Sequence, residues 1–276
     1  MIEKLLIICV FVGIIHMIET LAYSVRLAGL KTRKLVVALS LFNIIVIVSR
    51  TANMVQAPLT GKLGDAVHSK EDLPVLLHQL QTILLAASIG TIAGALLIPS
   101  FVSIFSRMIS HLEVAGSVPK MMKNIASIHT LEKAKKHVKR PRWIMLSQLR
   151  IGGVPKRLLL LNLMATTIYT VGVLSTLYAS TLEPTLYAST LEPTLSKSIL
   201  MSSGLINGLA MITLAVFVDP QVAILTEKVM KGESTKQSMN KMVGTLVISR
   251  LCGTVCAQIL LVPAALYIAW ICKLIP

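Results

Sequence analysis

The sequence predicts an all-α polytopic membrane protein with six transmembrane helices, and three observations predict it. The 276-residue chain is 54% hydrophobic and 14% charged, with a mean hydropathy of +0.77, which is more apolar surface than one soluble core of that length encloses. The apolar residues gather into six runs of about 18 residues or more, the length a helix needs to cross the hydrocarbon layer. Lysine and arginine concentrate in alternate connections between those runs, the pattern that orients a polytopic chain.

In order, the expected spans are 5–28, 35–57, 75–106, 158–177, 198–218 and 242–271, forming a single integral membrane domain over 1–276. The first run lacks the basic flank and small-residue cleavage site of a removable signal peptide, so it is read as a retained span. The connections after the first, third and fifth spans, counting Arg26 at the end of the first span, carry four, twelve and four basic residues, against five on the other side with both termini included. That asymmetry predicts odd-numbered connections in the cytoplasm and both termini outside. The net charge of +15 is thus mainly a property of the cytoplasmic face. No recognition fold or stacking platform of aromatic residues accompanies the basic run, which argues against a nucleic-acid partner.

The long connection 107–157 is not low-complexity. Within 118–138, Met121, Ile125, Ile128 and Leu131 alternate with Lys120, Lys123, Lys133 and Lys136 at helical spacing, as expected of a helix on an anionic leaflet or of a solvated one. Trp143 is expected to anchor at the interface. Between the fourth and fifth spans TLYASTLEP occurs twice, at 176–184 and 185–193. A nine-residue insertion rotates a helix by about half a turn, so the repeat is expected in an outside loop punctuated by Pro184 and Pro193, with no chemical role.

Polar groups within the apolar runs carry the functional signal. His16, Glu19, Tyr23 and Arg26 fall within an arc of about 80° on the first span, with Gly13 and Thr20 beside it. The second span shows Asn43, Arg50 and Asn53 on one face, followed by Gln56. The fourth offers Asn162, Thr166 and Tyr169, the fifth Ser203 and Asn207, and the sixth Arg250 with Gly253, Thr254 and Gln258. A charge facing lipid costs about 2.5 kcal/mol or more, so these stripes are expected to face one another or a hydrated cavity. Counting rise per residue puts Glu19 and Arg250 on the cytoplasmic side of the midplane, where they can pair; that pairing leaves Arg50, in the outer half, without a carboxylate unless Asp65 or another loop acid folds inward. An uncompensated arginine with Asn53 and Gln56 as neutral donors suits an anionic group.

Other chemistries find less support. His16 and Glu19 stand one turn apart, but a single pair makes no metal site. The four cysteines lie in apolar runs and are expected to pack as small hydrophobes. No HExxH, Gly-x-Ser-x-Gly or glycine-rich nucleotide loop occurs, so no enzymatic activity and no cofactor are expected. Lys133, Arg140 and Pro141 match the K-x6-RP opening of membrane lipid phosphatases, yet the remaining motifs of that family are missing: the sixth position after Ser49-Arg50 is Gln56, not histidine. Gly90 and Gly94 form a GxxxG face on the third span, and Pro99 and Pro263 fall in mid-span, where they kink or hinge a helix.

The run ETLAYSVRLAGLKTRKLVVALSLFNIIVIVSRTANMVQAPLTGKLGD, 19–65, resembles the N-terminal signature of the Amj family of bacterial lipid II flippases, the alternate to MurJ. The likeness extends over most of the chain, through the Asp219-Pro220 pair, and departs from the pattern at the duplicated TLYASTLEP. It implies a bacterial cell-membrane protein that carries undecaprenyl-diphosphate-linked disaccharide-pentapeptide, the lipid-linked peptidoglycan precursor, from the inner to the outer leaflet. Its partners are then that precursor and the membrane lipids. On the residues' own chemistry, Arg50, Asn53, Gln56, Arg26 and Arg250 are the expected substrate-binding groups, and Glu19 with His16 the expected ion-pairing or proton-coupling groups. Lys31, Arg33 and Lys34 are expected to concentrate the anionic head at the entrance. Two other readings fit the residues: a non-transporting scaffold that binds through the basic connection, and an ion- or proton-coupled transporter of a small solute.

Overall fold

The computed structural model describes residues 2–117, 120, 154–186 and 199–274. Helix α1 (Ile2–Thr32) and α2 (Leu35–Gly64) are joined by a two-residue turn. A single 3-10 turn (Lys70–Asp72) leads into α3 (Leu73–Ala115). Then follow α4 (Lys156–Leu186), α5 (Ser203–Thr213), a π-helical turn (Leu214–Val218), α6 (Asp219–Lys231) and α7 (Lys236–Leu274). Among the described residues six helical segments are long and apolar enough to cross a membrane: Ile2–Thr32, Leu35–Gly64, Lys70–Ala115, Lys156–Leu182, Ile199–Lys231 and Lys236–Cys272. Among the described residues there is no strand. The chain is thus an all-α polytopic membrane protein.

Local chemistry sets the ends. The turn between α1 and α2 puts Arg33 at φ 58°, a left-handed conformation usually taken by glycine, and Lys34 N–H closes back onto the Gly29 carbonyl at 3.2 Å, the Schellman pattern. Lys34 then forms an ion pair with Glu113 at the far end of α3. Helices α3 and α6 stop at Gly116 and Gly232, both at positive φ.

The tightest packing joins α1 to α3. An atom placed at the Cβ position of Gly90 would stand 2.1 Å from the Gly13 carbonyl oxygen, and one on Gly94 would stand 2.8 Å from both the Met17 carbonyl oxygen and Thr20 Cβ. The small residues of the GxxxG face therefore let two backbones touch, as the spacing suggests. Helices α4 and α7 form the second close pair: Ser249 Oγ donates to the Leu159 carbonyl at 2.9 Å, Asn162 Nδ2 to the Leu246 carbonyl at 3.1 Å and Thr167 Oγ1 to the Gly253 carbonyl at 3.1 Å.

Two of the three apolar cores among the described residues bracket a polar layer. Ile8, Val12, Leu174, Leu261 and Ala265 belong to one core, and Leu21, Leu158, Val243 and Leu246 to the other. On α1 the residues between these cores include His16 and Glu19; on α4, Thr166 and Tyr169; on α7, Arg250. Large apolar side chains such as Leu6, Val10, Leu85, Ile259 and Leu266 are exposed on the outer faces, where a bilayer supplies the apolar solvent.

Three expectations change. The first TLYASTLEP copy is not loop: it continues α4 through Pro184, because Leu177, Tyr178, Ala179 and Leu182 pack into the first core and Thr176 Oγ1 bonds back to the Gly172 carbonyl at 3.0 Å. Most of the second copy lies outside the described residues, as do Trp143 and almost all of the proposed amphipathic stretch 118–138. The fifth span does not stop at Val218 but runs on to Lys231 as a broken helix, since Pro220 in the first turn of α6 removes a donor the new turn does not need. Asn43 is exposed rather than sharing the inward face with Arg50 and Asn53.

Candidate functional site

Each helix brings its polar stripe to the layer between the cores by the 3.6-residue period. Helix α1 carries His16, Glu19, Tyr23 and Arg26 inward; α2 brings Arg50, α4 Tyr169 and α7 Arg250. A small cavity is lined by Glu19, Tyr23, Arg50, Tyr169, Asp219 and Arg250, with Phe42 and Val218 among its apolar walls.

Glu19 receives the Arg250 Nη2 donor in an ion pair whose side chains are 11% and 5% exposed. The hydroxyls of Tyr169 and Ser49 approach the same carboxylate but complete no hydrogen bond of ordinary geometry. His16 is buried one turn earlier with its ring 6.4 Å from that of Tyr169, tilted by 56°, and its Nδ1 is unpaired. No group of three or more potential metal-ligating side chains occurs among the described residues.

Arg26 is almost wholly buried, 2% exposed, and its partner is a residue that the stripe reading did not include. Its Nη1 donates to the Asp219 carbonyl oxygen at 3.0 Å and its Nη2 to Asp219 Oδ1 at 2.8 Å, while the guanidinium carbon stands 4.1 Å from the centre of the Phe42 ring. Asp219 sits where the fifth span breaks, directly after the π turn. The signal that would have found it is an acid next to a proline at the end of an apolar run, where an interior carboxylate needs a cation at its own depth.

Arg50 lines the same cavity, half-buried, and makes no ion pair within 4.0 Å among the described residues. It shares the cavity wall with Asp219 and Tyr169. The separation in depth expected of Arg50 from Glu19 and Arg250 is therefore corrected: all three line one cavity, because each lies near the middle of a helix longer than its apolar run. Asp65 does not serve as its counter-ion; it is exposed, and Asp219 provides the second carboxylate. Asn53 and Gln56 are buried further along α2 and do not line the cavity.

Among the described residues the layer thus holds three guanidinium groups against two carboxylates. Unpaired buried side-chain polar atoms cluster around it as well: His16 Nδ1, Arg26 Nε, Ser49 Oγ, Tyr169 Oη and Arg250 Nε. Such atoms are costly in a dry interior, and their concentration marks a place that water or a polar ligand serves. The cavity measures about 50 Å³. At about 10–15 Å³ for one water it takes a few waters and no diphosphate. The inward stripes thus face one another around a small cavity, with Arg26 and Arg250 ion-paired and Arg50 without an ion pair among the described residues.

Comparison with known proteins adds three findings. The family described as Amj, alternate to MurJ, matches residues 11–272. A Bacillus subtilis (strain 168) protein named lipid II flippase Amj is 41% identical over 272 residues, covering 98% of this chain and 97% of that protein. No solved structure matches the chain.

Proposed function

The chain belongs to the Amj family, alternate to MurJ, and from that membership we propose that it is a lipid II flippase of the bacterial cell membrane, moving the lipid-linked peptidoglycan precursor from the inner to the outer leaflet. The observation that carries the mechanism is the polar layer, with an excess of one guanidinium over its carboxylates and free Nε donors on Arg26 and Arg250.

A diphosphate crossing a membrane loses its hydration, and the protein must replace it. Planar guanidinium groups suit phosphate oxygens because they donate in pairs, and they remain charged when buried. In this structure Glu19 and Asp219 occupy Arg250 and Arg26, so neither cation is left alone at a depth where an unpaired charge is expensive. When the cavity widens, the diphosphate takes the place of these carboxylates while Arg50, without an ion pair among the described residues, makes first contact. The polyprenyl tail stays in the lipid. Opening has built-in weak points: the π turn before Asp219-Pro220, and the prolines within α3 and α7.

Glu19, with His16 one turn away, is the group at which a proton would neutralise the site and release Arg250. The excess of basic residues in alternate connections supports an orientation with the ends of α1, α3 and α6 in the cytoplasm and both termini outside.

The decisive experiment supplies this chain to a host depleted of every other lipid II flippase and measures lipid II in the outer leaflet directly. Growth with restored outer-leaflet exposure is expected; protein present in the membrane without exposure overturns the assignment. The scaffold reading separates in the same assay, since it requires neutral replacements of Glu19, Arg50 and Arg250 to remain functional.

A further inference from the structure

A larger cavity lies away from the central cluster. It measures about 380 Å³ and opens between α1, α3 and α7 at the end where α1 finishes and α7 begins. Its walls are Leu27, Leu30, Ala95, Ile98, Pro99, Val102 and Val243. Its polar lining is confined to Lys31, Lys236 and Asn240, all exposed. Among the described residues no acid lines it and neither lysine is held in an ion pair.

An apolar slot capped by two cations and an amide has the chemistry of a site for an anionic group attached to a hydrocarbon. About 300–1,000 Å³ is usual for ligand pockets, so this one takes a diphosphate with its first isoprene units but not a disaccharide-pentapeptide as well. The slot also leads somewhere. On α7 the lining residues Lys236, Asn240 and Val243 repeat at helical spacing, and the same face continues through Val247 to Arg250. On α1, Leu30 and Leu27 continue through Tyr23 to Glu19 in the same way. The ten residues from Asn240 to Arg250 rise about 15 Å, so a head group resting at the slot's mouth stands a few helical turns below the ion-paired layer.

We propose that this crevice is a loading site for the polyprenyl diphosphate lipid: Lys31, Lys236 and Asn240 take the diphosphate, and the wall formed by Ala95, Ile98, Pro99 and Val102 takes the start of the chain. The site rests on the flippase reading and assigns the substrate a first position, distinct from the arginine layer. Charge complementarity selects the occupant, since a zwitterionic lipid offers the two lysines no net charge and a free phosphate leaves the apolar wall uncovered.

The test uses the full-length protein in phosphatidylcholine nanodiscs and measures binding of undecaprenyl diphosphate, with phosphatidylglycerol and inorganic diphosphate as competitors. Replacing both lysines (Lys31→Gln with Lys236→Gln) is expected to weaken binding about tenfold or more, as two lost lysines at a membrane surface do. The charge-retaining pair Lys31→Arg with Lys236→Arg is expected to restore it. Ile98→Trp, which fills the slot without changing charge, is expected to weaken binding as well. Undiminished affinity in a monodisperse Lys31→Gln/Lys236→Gln protein overturns the proposal. So does displacement by phosphatidylglycerol or inorganic diphosphate at concentrations equal to that of the polyprenyl lipid, which would mark a general anion site. The flippase reading fails separately: a wild-type chain that binds undecaprenyl diphosphate through these lysines yet exposes no lipid II leaves the site standing and removes its role in transport.

Discussion

Arg26 delivers both ends of its guanidinium to one residue, Asp219, whose backbone carbonyl and carboxylate it binds at 3.0 and 2.8 Å. The contact ties the first span to the break in the fifth, so the element least embedded in the bundle is held at its weakest point by a buried charge. Removing one partner of a buried pair leaves the other uncompensated and costs about 3–5 kcal/mol, far more than the net worth of the pair itself.

Asp219→Ala is therefore expected to destabilise the folded protein by about 3–5 kcal/mol, read as a lower thermal midpoint in detergent, because the buried Arg26 would lose its counter-ion and keep only the backbone carbonyl as acceptor. Asp219→Asn keeps an acceptor and should lose less. Replacing both partners with apolar residues, Arg26→Met with Asp219→Leu, should recover most of the stability without recovering transport. An unchanged midpoint in Asp219→Ala would show that the contact holds nothing.

Arg50 is expected to behave in the opposite way. It has no ion pair among the described residues and is half-buried, so Arg50→Ala should change stability by less than about 1 kcal/mol. Lipid II flipping should nevertheless be lost at normal protein levels, with Arg50→Lys partly active. An Arg50→Ala chain that sustains growth in the flippase-depleted host would remove this residue from the mechanism.

The Glu19–Arg250 pair should show coupling. In a cycle of Glu19→Gln, Arg250→Gln and the double variant, the interaction free energy from unfolding is expected near 0.5–3 kcal/mol. Additive single effects would mean that the two side chains do not sense each other in the membrane.

Backbone contact between α1 and α3 makes its own prediction. Gly90→Ala puts a methyl group into the Gly13 carbonyl, so the helices must separate at a cost of about 1–3 kcal/mol. Gly61 has open space within 4 Å of its Cβ position, and Gly61→Ala should be neutral or stabilising by about 0.5–1 kcal/mol. Equal thermal midpoints for the two variants would contradict the close approach.

Orientation is open to direct labelling. In a chain with Cys9, Cys252, Cys256 and Cys272 replaced by alanine, Lys4→Cys should react with an impermeant maleimide on intact cells, and Lys231→Cys only after lysis. The reverse pattern would invert the assignment of the two faces.

Much of the site was legible because an ionised side chain inside an apolar run has few places to go. Glu19, Arg26, Arg50 and Arg250 stood out for that reason, and the helical period alone put Glu19 and Arg26 on one inward face. Asp219 did not stand out, since it closes its apolar run and looks like a boundary; only the continuation of the helix past Pro220 brings it inside. The TLYASTLEP copy misled for a related reason. Proline suggests a stop, yet apolar burial of Leu177, Tyr178 and Leu182 carries the helix through it.

Hydropathy and charge placement are properties of single segments measured against a bilayer, so the number of spans, their approximate limits and the inward polar stripes could be read from the chain alone. Pairing is a property of two helices at once. Which carboxylate meets which arginine, how tightly α1 seats on α3, and whether the polar layer is open or closed depend on tilt, kinks and side-chain reach, and these emerge only when the helices pack.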